Sequence, residues 1–234
     1  MKIALLGYGR MGKAIEKIAL ERGHSIVAKI DKQETTGHLE DAEVAINFSI
    51  PSAAVENIKS ALEKGIPVIC GTTGWLDQQK EVEAFCLEQE TAFLYASNFS
   101  VGVNLFFKLN GLLAKLMHPH QEHFSMHLEE IHHVHKLDAP SGTALTLAEG
   151  ILEENPQLAG WVLDKKENSK LTIKAFREGE VPGTHSIHYT SSVDEITITH
   201  EAKSRQGFAL GAVIAAEWIQ NKKGIFSMND VLKL

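Results

Sequence analysis

The chain predicts an α/β fold: a Rossmann-type parallel sheet domain plus a second α+β domain with a mixed or antiparallel sheet. Three observations carry this. The segment KIALLGYGRMG at 2–12 is an apolar strand running into a glycine-rich turn and a helix. Strand and helix patterns then alternate to about residue 100, which is how a parallel sheet reads. Beyond 170 strand patterns bunch together, as in an antiparallel or mixed sheet.

The first turn is Gly7-x-Gly9-x-x-Gly12, followed by the apolar helical positions Ala14, Ile15, Ile18 and Ala19. Glycines there let the backbone turn tightly and approach a pyrophosphate, which meets the helix N-terminus. A second strand, His24 to Ile30, ends at Asp31, 19 residues beyond Gly12. An acid at that distance is placed to bind the ribose hydroxyls of a dinucleotide. Val44 to Ser49 reads as a buried strand, Ser52 as the cap of a helix through Val55, Ile58 and Leu62, Ile66 to Cys70 as the next strand, and Ala92 to Ala96 as another. Their carboxyl ends carry Asn47-Phe48-Ser49, Gly71-Thr72-Thr73-Gly74 and Ser97-Asn98-Phe99-Ser100, at the edge where such sheets bind ligands.

After Val101 a helix from Val103 to Met117 leads to EEIHHVHKLDAPSGTA, residues 129–144. Period-two alternation predicts a strand here, with His132 and Lys136 on one face. Pro140 ends it, and Ser141 or Thr143 caps a helix running through Ala144, Leu145, Leu147, Ala148 and Ile151. Proton donors, a lysine cation and the free N–H groups of a helix start thus converge, a combination suited to an anionic substrate. His133 and His135 share the other strand face, but zinc wants three or four converging ligands, and no cysteine or Glu-x-x-His pattern accompanies them, so no metal is expected. Strands follow near Leu171 to Phe176, His185 to Thr190 and Glu195 to Ala202. A helix over Gly207 to Ile219 is expected to pack back on the first domain. The expected division is 1–100 with 206–234 for the dinucleotide and 101–205 for the substrate and oligomerisation.

Composition bounds the function. With 44% hydrophobic and 23% charged residues the chain can bury a core, and 23 basic against 30 acidic residues (net −7) disfavour nucleic acid as a partner. Cys70 and Cys86 have neither metal nor redox spacing, so they read as reduced core residues of a cytoplasmic protein. Neither a leader nor a run of about 18 apolar residues is present, so no membrane is expected.

The motifs GYGRMG at 7–12 with its preceding strand, GTTGW at 71–75, ASNFSVGVN at 96–104, HHVHKLDAPSGTA at 132–144, VPGTH at 181–185 and THEAKSRQGFALGAV at 199–213 together resemble the 4-hydroxy-tetrahydrodipicolinate reductase (dihydrodipicolinate reductase) family over essentially the whole chain. The resemblance implies reduction of a cyclic dicarboxylic imine with NADH or NADPH, in lysine and diaminopimelate biosynthesis, by a homotetramer built through the second domain's sheet. It implies His132 as proton donor and Lys136 as second donor or charge partner. His133, Gly142 and Thr143 become substrate contacts, with Lys136 and the N–H groups at Ser141 to Thr143 suited to carboxylates. Gly7, Gly9, Arg10, Met11, Gly12, Asp31, Lys32, Gly71, Thr72, Thr73, Ala96, Ser97, Asn98 and Phe99 hold the cofactor. Longer members carry extra sequence where this chain has only the polar segment Gln33 to Asp41, which bears on the adenosine side. Two other readings stay open: another amino-acid or semialdehyde dehydrogenase of this architecture, and a regulator that senses NAD(H) without catalysis.

Overall fold

Ile3 and Leu5 face one side of a sheet, Ala4 and Leu6 the other, and all four are buried, so the strand they form must be covered on both faces. A computed structural model describes residues 1–32, 34–204 and 206–234; Gln33 and Arg205, and the expectations that include them, lie outside the described residues. In chain order the elements are β1 (Lys2–Leu6), α1 (Arg10–Glu21), β2 (Ser25–Ile30), β3 (Thr35–Gly37), β4 (Val44–Asn47), α2 (Pro51–Glu63), β5 (Val68–Cys70), α3 (Gln79–Glu88), β6 (Ala92–Tyr95) and α4 (Val101–Met117). Then come β7 (Ser125–His132), α5 (Gly142–Glu154), β8 (Trp161–Leu163), β9 (Leu171–Arg177), β10 (Thr184–Thr190), β11 (Glu195–Glu201), α6 (Gln206–Ile219), β12 (Gly224–Phe226) and α7 (Met228–Leu232).

The chain forms two compact units, Met1–Asn104 with Gln206–Leu234, and Leu105–Arg205. In the first, seven strands are ordered β12-β6-β5-β4-β1-β2-β3, all parallel except β3. The strand order reverses at β1, flanked by β2 and β4, which opens a crevice at the carboxyl edge there. One face is covered by α1, α6 and α7, burying Ile3, Leu5, Ile15, Ile46, Val213 and Ile219. The other face carries α2 and α3, with Ala54, Ile58, Leu62 and Val82 over Ala4, Leu6 and Val68. Each fully buried Ile or Leu contributes about 1.5–3 kcal/mol. The alanine-rich α6 lies on α1, its small side chains allowing close approach. Cys70 and Cys86 are free and buried, and burial pushes both thiols up to about 11.

The second unit is a mixed five-stranded sheet, β11-β10-β7-β9-β8, with β10 antiparallel to β7 and β11 and β9 parallel to β7 and β8. Leu128, Ile173, Ile187 and Tyr189 face α4 and α5, packing on Phe106, Ala114, Leu147 and Ile151. No helix among the described residues is long and apolar enough to cross a membrane.

Several local expectations differ from what folds. Ser52 is not the cap of α2, because Pro51 takes the first helical position and Ile50 precedes it; proline's missing N–H costs nothing there. The polar segment after β2 contains the short antiparallel strand β3, whose Thr35, Thr36 and Gly37 are all exposed and so left no apolar alternation to read. The second-domain strand carrying the histidines stops at His132, and His133 to Lys136 form a turn closed by the Lys136 N–H to the His133 carbonyl (3.1 Å). His132 and Lys136 therefore do not share a strand face. The ladder to β9 runs out at Arg177, and alternation alone cannot tell where a partner strand ends.

Candidate functional site

In the first unit the candidate cofactor residues follow the carboxyl ends of the parallel strands β1, β2, β5 and β6. Gly7 has φ +94°, and a Cβ on it would lie 2.4 Å from the Phe48 carbonyl oxygen; one on Gly12 would lie 2.5 Å from the Gly7 carbonyl oxygen. These two positions bring the loop, β4 and α1 into backbone contact. Gly9, by contrast, opens on free space. It is the N-cap of α1 and lends that helix no side-chain cap, so the first-turn N–H groups are available to an anion. A cradle closed by glycines at both ends and open in the middle fits a pyrophosphate.

Asp31 accepts the Tyr8 N–H through Oδ2 (2.6 Å), which makes it a brace for the glycine loop as well as a candidate ribose ligand. Beside it lies a cleft of about 350 Å³ lined, among the described residues, by Tyr8, Lys13, Lys29, Asp31, Glu34 and Thr36. Lys32 is exposed and does not line this cleft. The cations that do are Lys13 and Lys29, neither of which local sequence singles out; Lys29 is paired with Glu16 (2.6 Å). Thr72 accepts the Ser49 N–H through Oγ1 (2.9 Å) and anchors Trp75 through its carbonyl (2.7 Å), so it shapes the edge. Gly71 and Phe99 pack beside the Phe48 ring. Asn98 is tied into its own loop through the Ser100 N–H and the Asn104 amide, while Thr73, Ser97 and Arg10 are exposed.

In the second unit the site is built around a carboxylate the sequence reading missed. Leu128, Glu130 and His132 alternate onto the face of β7 that meets α5, and all three are buried. Glu130 is fully buried. Its Oε2 accepts the Ser141 N–H (3.0 Å) and its Oε1 meets the Arg177 guanidinium (3.3 Å). From Oε2, His132 Nδ1 and His185 Nε2 each lie 3.7 Å away. The His132 and His185 rings stand edge to face, with centroids 5.1 Å apart. Gly183, at φ +153°, makes room: a Cβ there would lie 3.1 Å from His132 Nε2. Burial pushes the His132 imidazole below the ordinary range, Glu130 opposes this, and Lys136 and Arg177 add to it. Burial, with His132, His200 and Lys136 as neighbours, takes His185 down to about 3.

Of the two caps the sequence allows, Ser141 and Thr143, it is Ser141 that caps α5, accepting the Ala144 N–H (3.2 Å), and its Oγ also meets His185 Nε2 (3.1 Å). Buried and engaged through both N and Oγ, Ser141 shapes the site from behind. The N–H groups at the exposed Gly142 and half-buried Thr143 are the ones left at the helix start. Lys136 is not an unpaired cation: it holds both oxygens of Asp138 at 2.8 Å. His133 is half-buried, and His135 is exposed with Glu180 at 3.5 Å. Glu130, Arg177 and His185 were legible only as an acid, a base and a histidine spread over 56 positions; register alone brings them together.

Among the described residues two groups carry ligand types a metal uses, and neither is the His133–His135 pair. His127, Glu129 and His188 cluster on the opposite face, but the two imidazoles are stacked at 4.6 Å and 4°, so their in-plane lone pairs cannot converge on one ion, and Lys174 already holds Glu129 (2.8 Å). In the Glu130–His132–His185 group the carboxylate is matched by Arg177 and Ser141. Exhaustive chelation should accordingly leave activity unchanged, measured as turnover before and after dialysis against a strong chelator; loss restored by zinc would reverse this.

A doubly wound sheet with a glycine cradle, joined to a unit bearing a buried histidine-acid cluster at a helix start, defines a dinucleotide-dependent oxidoreductase. The family model described as "Dihydrodipicolinate reductase, N-terminus" matches residues 1–99, and "Dihydrodipicolinate reductase, C-terminus" matches 102–232. The chain belongs to the dihydrodipicolinate reductase family. It is 55% identical over 234 residues to the 4-hydroxy-tetrahydrodipicolinate reductase of Christiangramia forsetii, covering 99% of this chain and 98% of that one. The enzyme of the same name from Archaeoglobus fulgidus is 35% identical over 263 positions, with full coverage of both. In fold it matches the dipicolinate-bound dihydrodipicolinate reductase from Paenisporosarcina sp. TG-14, with a TM-score of 0.81 at 21% identity over 97% of each chain.

Proposed function

We propose that this chain reduces 4-hydroxy-tetrahydrodipicolinate to tetrahydrodipicolinate with NADH or NADPH, in lysine and diaminopimelate biosynthesis. The observation that carries the reading is the folding of 132–144, which sets a buried histidine beside the start of α5 in a chain 55% identical to an enzyme of that name. The glycine loop and strand ends of the first unit would hold the cofactor, which when bound would supply a hydride. The substrate hydroxyl and a proton from the neighbouring ring carbon leave together as water, which creates a conjugated C=C–C=N system, and this chain supplies the proton that balances the hydride. His132 gives that proton to the charge that develops on the conjugated C=C–C=N system. Gly142 and Thr143 N–H groups receive a substrate carboxylate, and Lys136 serves the second by exchanging it for Asp138. His133 borders the same substrate.

The first unit is thus the dinucleotide-binding domain and the second the substrate and oligomerisation domain. A cytoplasmic homotetramer is part of the proposal. Leu105, Leu109, Leu112 and Leu116 of α4 are 48–70% exposed, an apolar stripe that supports an assembled state; light scattering should return four times the chain mass. The activity is tested by following nicotinamide absorbance with freshly generated substrate. Turnover only of acyclic amino acids or semialdehydes, or none at all, overturns the proposal.

Cofactor choice follows from the cleft beside Asp31. Its carboxylate favours the ribose hydroxyls of NADH and repels a 2′-phosphate, whereas Lys13 and Lys32 favour the phosphate as point charges. Both cofactors should support turnover, with kcat/KM within roughly one decade, about 1.4 kcal/mol. Asp31→Asn keeps an acceptor for Tyr8 and should move the ratio toward NADPH. Lys32→Ala and Lys13→Ala should move it toward NADH, the latter more because Lys13 lines the cleft. Ratios unmoved by all three would show that these residues do not read the ribose.

A further inference from the structure

We propose that Glu130 is the positioning residue for His132: it fixes which imidazole nitrogen carries the transferable proton and locks the proton donor to the helix start that receives the substrate carboxylate. The inference rests on His132 being the donor.

A fully buried carboxylate is costly unless its charge and lone pairs are matched. Glu130 is matched on both oxygens, by Arg177 at Oε1 and by the Ser141 N–H at Oε2. The Oε2 that ties down the start of α5 is also the atom that faces His132 Nδ1. At 3.7 Å this is ion-pair range, longer than a hydrogen bond, and such contacts commonly tighten when a substrate binds. Among the described residues His132 Nδ1 has no hydrogen-bond partner, and Glu130 is the acceptor toward which an Nδ1–H points. Nε2, at the opposite edge beside Gly183, is then the nitrogen whose proton comes and goes. One side chain thereby sets the tautomer, the ring direction and the position of Gly142 and Thr143 relative to the donor.

The groups facing His132 are Glu130 on its own strand, Lys136 and Asp138 from the following turn, Arg177 from β9 and His185 from β10. Two carboxylates hold its proton on, and two cations push it off. His132 must be protonated to act, so kcat/KM is level at low pH and falls as pH rises through its folded-state value. Removing the Glu130 charge weakens the protonated form, so the fall must begin at lower pH.

The test uses the whole enzyme. In Glu130→Gln, which keeps an acceptor for the Ser141 N–H, the falling limb should move down by about one pH unit or more, with kcat at neutral pH reduced about tenfold. In Glu130→Asp, which keeps the charge, the limb should stay closer to wild type. In the wild type, ¹⁵N shifts of the His132 ring, assigned by the signal lost in His132→Gln, should show the Nδ1–H tautomer in the neutral form; this needs no Glu130 variant to fold. An Nε2–H tautomer, or a limb that Glu130→Gln leaves in place, overturns the proposal. Should His132→Gln itself retain full activity, the donor assignment fails, which is a separate result.

Discussion

Replacing His132 by glutamine should lower kcat between roughly one hundred- and ten thousand-fold, the usual contribution of a positioned proton donor, while leaving the KM of both substrates within a few-fold. Glutamine nearly fills the space between Gly183 and Glu130 and still donates a hydrogen bond, but it has no proton to give. Lys136→Ala should behave differently. It removes a cation that now holds Asp138 and is proposed to meet a substrate carboxylate, so kcat should fall and KM rise together. Steady-state kinetics on both variants decides the matter: near-normal turnover in both would remove these residues from the site.

Alanine at Gly7 should destabilise the protein strongly and alanine at Gly9 hardly at all, although both glycines belong to one motif. At Gly7 a side chain meets the Phe48 carbonyl oxygen at 2.4 Å and must adopt φ +94°. Overpacking costs about 1–3 kcal/mol and the left-handed backbone about 1–2 more. A chain of this size loses about 2–4 °C in Tm per kcal/mol. At Gly9 nothing among the described residues lies within 4 Å of an added Cβ, so stability should change by about 0.5 kcal/mol or less, yet a methyl group intrudes where the pyrophosphate is proposed to pass. Gly9→Ala should therefore keep its Tm and raise the cofactor KM. Thermal melts beside cofactor titrations check both; an unchanged cofactor KM in Gly9→Ala would remove the loop from the cofactor site.

The sequence by itself determined the fold class. Apolar alternation in Ile3 to Leu6, three glycines at fixed spacing and an acid at Asp31 are local signals, and they specify a strand, a turn and a helix without reference to the rest of the chain. The same holds for the start of α5, which Ser141 or Thr143 ahead of Ala144, Leu147 and Ile151 predicts, while the structure chooses Ser141. Where the expectations departed from the fold, the deciding interaction was distant. The strand carrying the histidines ends at His132, opposite the last residue of β9, Lys136 turns away to Asp138, and Asp31 spends one oxygen on the Tyr8 N–H. Glu130, Arg177 and His185 came together only through strand register, each from a different strand of one sheet. A buried carboxylate is invisible to composition and periodicity, because its partners, and so its tolerance of burial, exist only once the sheet has formed.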